Sequence, residues 1–131
     1  KGSGSQADSG ELSRFAYNGG NFSYLLKVEK NHENFIKLTV MGTACTENEK
    51  QVDGTTLSVY VIQDNKKVIL EEFTLTMAGE KQVKEIQIPS SIINNSYTFK
   101  DEGFNVIRVY FEGKNGAQSA KLIAPLETYF N

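Results

Sequence analysis

Residues 103–124, GFNVIRVYFEGKNGAQSAKLIA, decide the fold class of this chain. Apolar side chains occupy every second position in its first half, which is the period of a strand with one buried face. Asn115-Gly116 then supplies the residues of a type I′ turn, so the stretch predicts a hairpin whose second strand lies near residues 117–124. The predicted inward side chains of the first strand are Ile107, Val109 and Phe111.

The same period of two recurs upstream of this stretch, and the period of a helix does not. No window of 11 or more residues repeats apolar positions at helical spacing, while the β-branched and aromatic residues typical of strands are plentiful. The polar turn at residues 64–67 predicts a hairpin, and SSIINNS at residues 90–96 predicts a crossover or one helical turn. The further predicted strands lie near residues 22–29, 35–42, 56–63, 67–76 and 82–89.

Strands joined by short polar turns predict the architecture. About seven or eight of them favour an all-β fold, an antiparallel two-sheet β-sandwich of immunoglobulin-like or jelly-roll type, with a partly closed barrel as the alternative. The 131 residues suit one domain. We therefore divide the chain into a flexible tether or linker over residues 1–11 and a single sandwich domain over residues 12–131. Residues 125–131 either pack or fray.

Composition excludes several classes of partner. Fourteen basic and sixteen acidic residues leave a formal charge of −2, and only two of the basic residues are arginines, so no nucleic-acid partner is predicted. No apolar run approaches the roughly 20 residues that span a bilayer. Membrane contact is expected only through an N-terminal lipid anchor that this chain does not contain. Cys45, the single cysteine, allows no internal disulfide and is either a small buried residue or a reactive thiol.

The sequence offers no catalytic constellation. His32 is the only histidine and lies in a polar turn, where a solvated side chain is the simplest interpretation. The chain lacks the G-x-S-x-G setting of a serine nucleophile, the second histidine of H-E-x-x-H, a P-loop and G-x-G-x-x-G. We predict neither enzyme activity nor a cofactor. A glycosidase-type carboxylate pair stays open, because the separation of the two groups in space decides it.

Two groups of side chains are candidates for binding. The loop TENEKQVDGTT, residues 46–56, brings three carboxylates together, which either form a solvated loop or hold a hard cation such as calcium. Tyrosines either pack half-buried or present flat faces to a sugar ring. The candidate metal ligands are Glu47, Glu49 and Asp53, and the candidate ligand-binding tyrosines are Tyr24, Tyr60 and Tyr110.

Two stretches resemble known families. The opening KGSGSQADSGE resembles the spacer that follows the lipidated cysteine in small bacterial surface lipoproteins of gut anaerobes, although an expression linker would look the same. That resemblance implies a location in the cell envelope or on the extracellular surface. DEGFNVIRVYF, residues 101–111, resembles the Asp-x-Gly lead into a strand of immunoglobulin-like domains, matched at Asp101 and Gly103. The family's tyrosine and cysteine are replaced here by Asn105 and Ile107.

Three functions remain open from the sequence. The leading hypothesis is a non-catalytic binding or structural module of the bacterial cell envelope, a lipoprotein that contacts a protein or a glycan. The alternative is a jelly-roll carbohydrate-binding module of a carbohydrate-active system, which uses its tyrosines and, if the acidic loop binds it, calcium. A third is an assembly subunit that accepts a partner strand at a free sheet edge.

Overall fold

Two antiparallel sheets form the protein, as the sequence predicts. The computed structural model describes residues 2–8, 11–17, 19–42, 54–76, 79–99 and 104–131. The elements within these ranges are β1 Gly2–Asp8, β2 Glu11–Tyr17, β3 Phe22–Val28, β4 Asn34–Met41, β5 Thr56–Gln63, β6 Lys66–Thr74, β7 Gln82–Ile88, α1 Ser90–Asn94, β8 Tyr97–Phe99, β9 Phe104–Glu112 and β10 Lys121–Phe130. Sheet A has the order β1-β2-β10-β4-β7, and sheet B has the order β3-β9-β5-β6 with β8 beside β9.

The number of strands departs from the prediction. The described ranges hold ten strands rather than seven or eight. The strands that the sequence did not indicate are β1, β2 and β8. The first two lie at one edge of sheet A, and the third has three residues, and none of the three has a long alternation of apolar and polar residues in its sequence.

The opening segment forms a strand. We expected residues 1–11 to be a flexible tether, but Gly2–Asp8 pairs with β2 along seven residue pairs, from Gly2 opposite Tyr17 to Asp8 opposite Glu11. The expectation of an unstructured segment is therefore wrong for β1. Ladder hydrogen bonds join backbone groups, so an edge strand can form from Gly, Ser and Gln without burying an apolar side chain.

The sheets pack through the faces that the alternation predicts. Along β3, β4, β5 and β9, alternate side chains enter one apolar core, because a period of two places them on one face of a sheet, and of this set only Tyr24 on β3 is half-buried. The buried inward side chains are Phe22, Leu26, Val28, Ile36, Leu38, Val40, Leu57, Val59, Val61, Ile107, Val109 and Phe111.

One predicted hairpin is confirmed and the other is wrong. Asp64 and Asn65 both have positive φ, 51° and 63°, and join β5 to β6 in a two-residue hairpin. Asn115 and Gly116 also have positive φ, 56° and 79°, as a type I′ turn requires. However, β9 lies in sheet B and β10 in sheet A, so this turn carries the chain from one sheet to the other.

The crossing between the sheets is held by hydrogen bonds across the sandwich edge. The Ala120 N–H donates to the Thr56 carbonyl oxygen at 2.7 Å, and the Ser119 N–H donates to the Ala16 carbonyl oxygen at 2.8 Å. The Ala16 N–H in turn donates to the buried Ser119 hydroxyl at 2.9 Å. These bonds place the start of β10 beside β2. Strand β10 continues to Phe130, so most of residues 125–131, for which the sequence left packing or fraying open, belongs to a strand.

Two sequence features lie outside these ranges. Cys45 is not among the described residues, and neither is the pair Asp101 and Gly103 that carries the immunoglobulin-like resemblance. In the part of the chain that is described, no helix has the length and apolar character that a bilayer crossing needs.

Candidate functional site

Sheet B is interrupted along one edge of its central strand. One edge of β9 pairs with β3 over seven residues. On the other edge, β8 covers residues 104–106 and β5 covers residues 110–112. Within the described ranges, no strand pairs with residues 107–109 on that side. The sheet therefore contains a gap between the end of β5 and the start of β8.

A β-bulge in β6 lies beside the gap. Val59 of β5 faces Glu71 and the next residue, Tyr60, faces Ile69, so Leu70 of β6 has no partner on β5. A bulge increases the local twist of the strand pair, and after Tyr60 the last residues of β5 pair with β6 but not with β9. Helix α1, which follows β7, places its buried Ile92 beneath the opening.

The resulting cavity, which we call the notch, has a volume of about 150 Å³. Apolar residues from β5, α1 and β9 line it together with two tyrosines, several amide and hydroxyl side chains and one arginine. The lining residues are Val61, Ile62, Gln63, Ile92, Asn95, Ser96, Tyr97, Val106, Ile107, Arg108 and Tyr110.

Two tyrosines form the aromatic part of the notch. Tyr97 on β8 is 53% exposed, while Tyr110 on β9 is half-buried. The ring of Tyr110 stacks on Tyr60, with centroids 5.2 Å apart and an interplanar angle of 10°. Because Tyr60 is buried, it cannot present a ring face to a ligand, and it instead supports Tyr110.

Tyr60 is fixed in turn by two charged groups. Its hydroxyl donates a 2.7 Å hydrogen bond to Glu112 Oε1, and the Lys67 ammonium lies 4.6 Å from the ring centroid. Lys67 also forms a 2.8 Å ion pair with Glu112 Oε2. Burial, followed by the hydrogen bond to Glu112, raises the pKa of Tyr60 well above 10.0.

This raised pKa predicts a loss of stability at alkaline pH. The folded protein holds the Tyr60 proton more tightly than the unfolded chain, so the stabilisation is complete below pH 10.0 and is lost as pH rises towards the folded pKa. We expect the stability advantage of wild type over Tyr60→Phe to fall by up to about 1.4 kcal/mol per pH unit above about pH 10. Urea unfolding at several alkaline pH values measures it, and parallel curves for the two proteins would contradict it.

The polar side chains of the notch are largely free to bind a ligand. In the described part of the chain, neither the Gln63 amide nor the hydroxyls of Tyr97 and Tyr110 have a hydrogen-bond partner. Arg108 donates one bond from Nη1, to Ser23 Oγ at 3.1 Å. Asn95 donates from Nδ2 to the Ser91 carbonyl oxygen at 2.8 Å, which leaves its Oδ1 as an acceptor.

The structure separates the three tyrosines that the sequence proposed. It brings Tyr60 and Tyr110 together on the outer face of sheet B. Tyr24 instead points between the sheets, where its ring packs edge-on against Phe22 and Phe111 at centroid distances of 6.1 and 6.0 Å. The Arg14 guanidinium lies 5.4 Å from the Tyr24 ring centroid. Tyr24 therefore takes part in core packing and lies away from the notch.

The other candidates from the sequence are not part of the notch. Glu47, Glu49 and Asp53 lie outside the described residues. Among the residues that are described, no three His, Cys, Asp or Glu side chains are close enough to hold a metal ion. His32 lies in an exposed turn, with Nδ1 2.9 Å from the Asn131 carbonyl oxygen and its ring edge-on to Phe130 at 4.8 Å.

A second aromatic surface lies at the end of β10. Tyr129 stacks on Phe35 with centroids 5.0 Å apart and an interplanar angle of 17°. Next to it, Tyr129 and Phe130 line a cavity of about 320 Å³ together with Lys27. The nearby Glu85, as a hydrogen-bond acceptor for the hydroxyl, raises the pKa of Tyr129.

Sequence reasoning missed most of the polar lining of the notch. Gln63, Asn95 and Arg108 come from the end of β5, the segment after α1 and the middle of β9. Nothing in their local sequence marks them, because they meet only where β5 leaves β9. The single signal in the sequence was the outward position of Arg108 in the alternation of residues 107–111.

Comparison with known proteins gives a match at the level of fold. No protein-family model matches the chain, and no curated protein matches it. A solved structure described as "CBM4 structure and function", a carbohydrate-binding module, is similar over 97% of this chain and 88% of its own, with a TM-score of 0.50 and 11% sequence identity. The likeness shows a jelly-roll β-sandwich, the second of the two sandwich types predicted from the sequence.

Proposed function

We propose that this protein is a carbohydrate-binding module whose binding site is the notch in sheet B. The observation that carries the proposal is that Tyr97 and Tyr110 share one small cavity with Gln63, Asn95 and Arg108. A jelly-roll fold similar to that of a carbohydrate-binding module also supports the proposal. The sequence left open whether the ligand is a protein or a glycan, and we propose that it is a glycan.

The lining of the notch matches the two kinds of surface on a sugar ring. A pyranose has an apolar face of C–H groups, which packs on an aromatic ring, and hydroxyls around its edge, which donate and accept hydrogen bonds. Tyr97 and Tyr110 provide the rings. The amide of Gln63 donates and accepts, and the guanidinium of Arg108 donates. A concave apolar site with a few convergent polar groups is the usual form of a ligand site.

The notch fits this function better than the second aromatic surface does. The second surface has one tyrosine, Tyr129, whereas the notch has two, Tyr97 and Tyr110, and Tyr97 is 53% exposed. The amide of Asn34, which also lines that cavity, makes three hydrogen bonds to the backbone. The Asn34 amide is therefore already used within the protein, whereas the Gln63 amide and the hydroxyls of Tyr97 and Tyr110 in the notch have no partner in the described part of the chain.

The proposed module binds its ligand without chemical change. Hydrolysis of a glycosidic bond generally needs two carboxyl groups on either side of it, and no Asp or Glu belongs to the described lining of the notch. The volume of about 150 Å³ is below the range of about 300–1,000 Å³ typical of sites for drug-sized ligands. We therefore propose that the notch takes one sugar residue of a glycan, while the rest of the glycan extends over sheet B.

Removing an aromatic ring from the notch tests this function. We expect Tyr97→Ala and Tyr110→Ala each to weaken binding of an oligosaccharide by about tenfold, because each loses a stacking surface worth about 1 kcal/mol and its hydroxyl. Titration calorimetry against a panel of plant, microbial and animal oligosaccharides measures it. Tyr129→Ala removes the exposed tyrosine of the second surface and serves as the matched control.

Two results would contradict the proposal. One is the absence of binding to every glycan of the panel by the folded wild-type protein. The other is a loss of affinity in Tyr129→Ala that equals the loss in the two notch variants, which would move the site to the end of β10.

A location in the bacterial cell envelope, as a lipoprotein, is also our proposal. Its support is the Gly/Ser-rich composition of the opening segment, part of which forms strand β1. A binding module displayed at a cell surface would contact glycans there directly. Fractionation of cells that produce the full-length protein tests the location, and recovery in the cytoplasmic fraction would contradict it.

A further inference from the structure

We infer that the notch selects a sugar residue that carries a carboxylate, an inference that rests on the proposed glycan-binding function. The carrying observation is Arg108, a residue that lines the notch together with Tyr97 and Tyr110 and uses only one guanidinium nitrogen, Nη1, in a bond to Ser23 of β3. Arg108 is exposed and forms no ion pair with any residue of the described ranges. A neutral sugar needs hydrogen bonds only, whereas an unpaired guanidinium provides charge as well.

The charges around Arg108 favour an anion. None of the described residues that line the notch is acidic. Glu112 lies on the same outward face of β9, but its two oxygens accept bonds from Tyr60 and Lys67. Lys27, which is opposite Val106 on the neighbouring strand β3, adds a second positive charge to the outer face of sheet B. Asp64 is exposed in the β5–β6 turn and does not line the cavity.

The position of Arg108 in the sheet also leaves its guanidinium able to bind a carboxylate. Arg108 is in the middle of β9, which is paired with β3 on one side, so its backbone position is fixed by the sheet. One of its five N–H groups donates to Ser23 Oγ, and the others have no partner in the described part of the chain. The planar fork of a guanidinium binds both oxygens of a carboxylate at once, and such charge-assisted bonds are about twice as strong as neutral ones.

The position of Arg108 beside the tyrosines defines which sugars fit. A uronic acid or a sialic acid carries its carboxylate on the ring, so the ring can pack on Tyr110 while the carboxylate meets Arg108. The Gln63 and Asn95 side chains remain for hydroxyl groups. Both kinds of sugar present the same chemistry to the notch, and the binding experiment distinguishes them.

The test compares glycans that differ only in the carboxylate. We expect a uronic-acid trisaccharide to bind wild type at least ten times more tightly than its methyl ester, since hydrogen bonds between two charged groups are about twice as strong as neutral ones. Arg108→Gln should reduce this ratio to about one, mainly by weakening binding of the uronic acid, because the methyl ester loses a neutral hydrogen bond at most. Lys27→Gln removes the other positive charge without touching the notch, and it should keep most of the ratio.

Further glycans identify the source of the carboxylate. Sialyl-lactose against lactose gives the corresponding ratio for sialic acids, and a high value in either pair supports the inference. A sulfated trisaccharide that binds as tightly as the uronic acid would overturn it, because charge alone would then explain the binding. Thermal melting of each variant confirms that the exposed substitutions leave the fold intact.

The failure of this inference differs from the failure of the proposed function. If neutral and acidic glycans bind equally, and Arg108→Gln changes neither affinity, carboxylate selection is wrong while glycan binding stands. If no glycan binds the folded protein, the function itself is wrong and the inference falls with it. If an acidic glycan binds and Arg108→Gln does not change its affinity, the carboxylate binds outside the notch, and the inference is wrong.

Discussion

Gly113→Ala is expected to lower the free energy of unfolding by about 3 kcal/mol or more, the upper end of the cost of overpacking a buried site. Gly113 is buried between the end of β9 and the crossing to sheet A. A Cβ atom at this position would overlap the carbonyl oxygen of Ala117 and lie 2.9 Å from the backbone nitrogen of Ser119. Both obstacles are backbone atoms, so no side-chain rotation can relieve the overlap.

The need for glycine at position 113 does not come from the backbone conformation, which is the usual reason for a glycine at a turn. The φ of −79° and ψ of 151° at Gly113 are allowed for any residue, so the whole expected cost arises from the overlap. Gly19→Ala is the matched control, because Gly19 has a φ of 72° but a Cβ added there would meet no atom within 4 Å. We expect that control to cost about 1–2 kcal/mol, as a left-handed alanine does.

Urea unfolding of the two variants measures the difference. The Gly113 variant, if it folds at all, should have the lower midpoint, and a loss in Gly113→Ala no larger than in Gly19→Ala would contradict the steric argument. The crossing segment would then have room to shift, and its bonds from Ser119 to Ala16 and from Ala120 to Thr56 would not fix it as tightly as the structure indicates.

The core of this fold follows from the sequence because it depends on local period. Alternation along β3, β4, β5 and β9 places side chains such as Leu38, Val59 and Val109 on one face, and any sandwich built from these strands buries that face. The turn at Asp64-Asn65 is equally local, since the conformation of two residues decides it. These features could be predicted, and the structure confirms them.

The partner of each strand could not be predicted in the same way. Residues 104–124 have the alternation and the turn residues of a hairpin, yet β9 and β10 lie in different sheets. The turn itself has the expected positive φ at Asn115 and Gly116. The difference lies in Gly113 and in hydrogen bonds to Ala16 and Thr56, which are about 100 and 60 residues away in the chain. Local pattern contains no information about such distant partners.

The notch could not be predicted for the same reason. Tyr60 and Tyr110 were candidates because they alternate with aliphatic residues, and their pairing across β5 and β9 brings them together. Arg108 shows the same alternation, but its role depends on a gap in the sheet, where the pairing of β5 with β9 ends at Tyr60 while β5 continues beside β6. An interruption in strand pairing leaves no mark on the period of either strand.

Asn34→Asp is expected to cost about 3–5 kcal/mol at pH 7, the penalty of a buried charge without a partner. Asn34 is 1% exposed, and its amide joins both ends of the turn between β3 and β4. Its Oδ1 accepts from the Glu29 N–H at 2.8 Å, and its Nδ2 donates to the carbonyl oxygens of Glu29 at 2.8 Å and His32 at 3.0 Å. The substitution keeps the shape of the side chain but places a carboxylate oxygen against two carbonyl oxygens.

The pH dependence of the stability of Asn34→Asp identifies the cause of its destabilisation. Burial and the two carbonyl oxygens should raise the pKa of the new carboxyl group above its unfolded value of about 3.9. The folded state then binds the proton more tightly, so the penalty is full above the folded pKa and shrinks as pH falls towards 4. Asn94→Asp makes the same change at an exposed position of α1 and should cost less than about 0.5 kcal/mol. Urea unfolding between pH 4 and pH 8 measures both, and a penalty for Asn34→Asp that stays constant across this range would show that lost geometry, rather than buried charge, destabilises the turn.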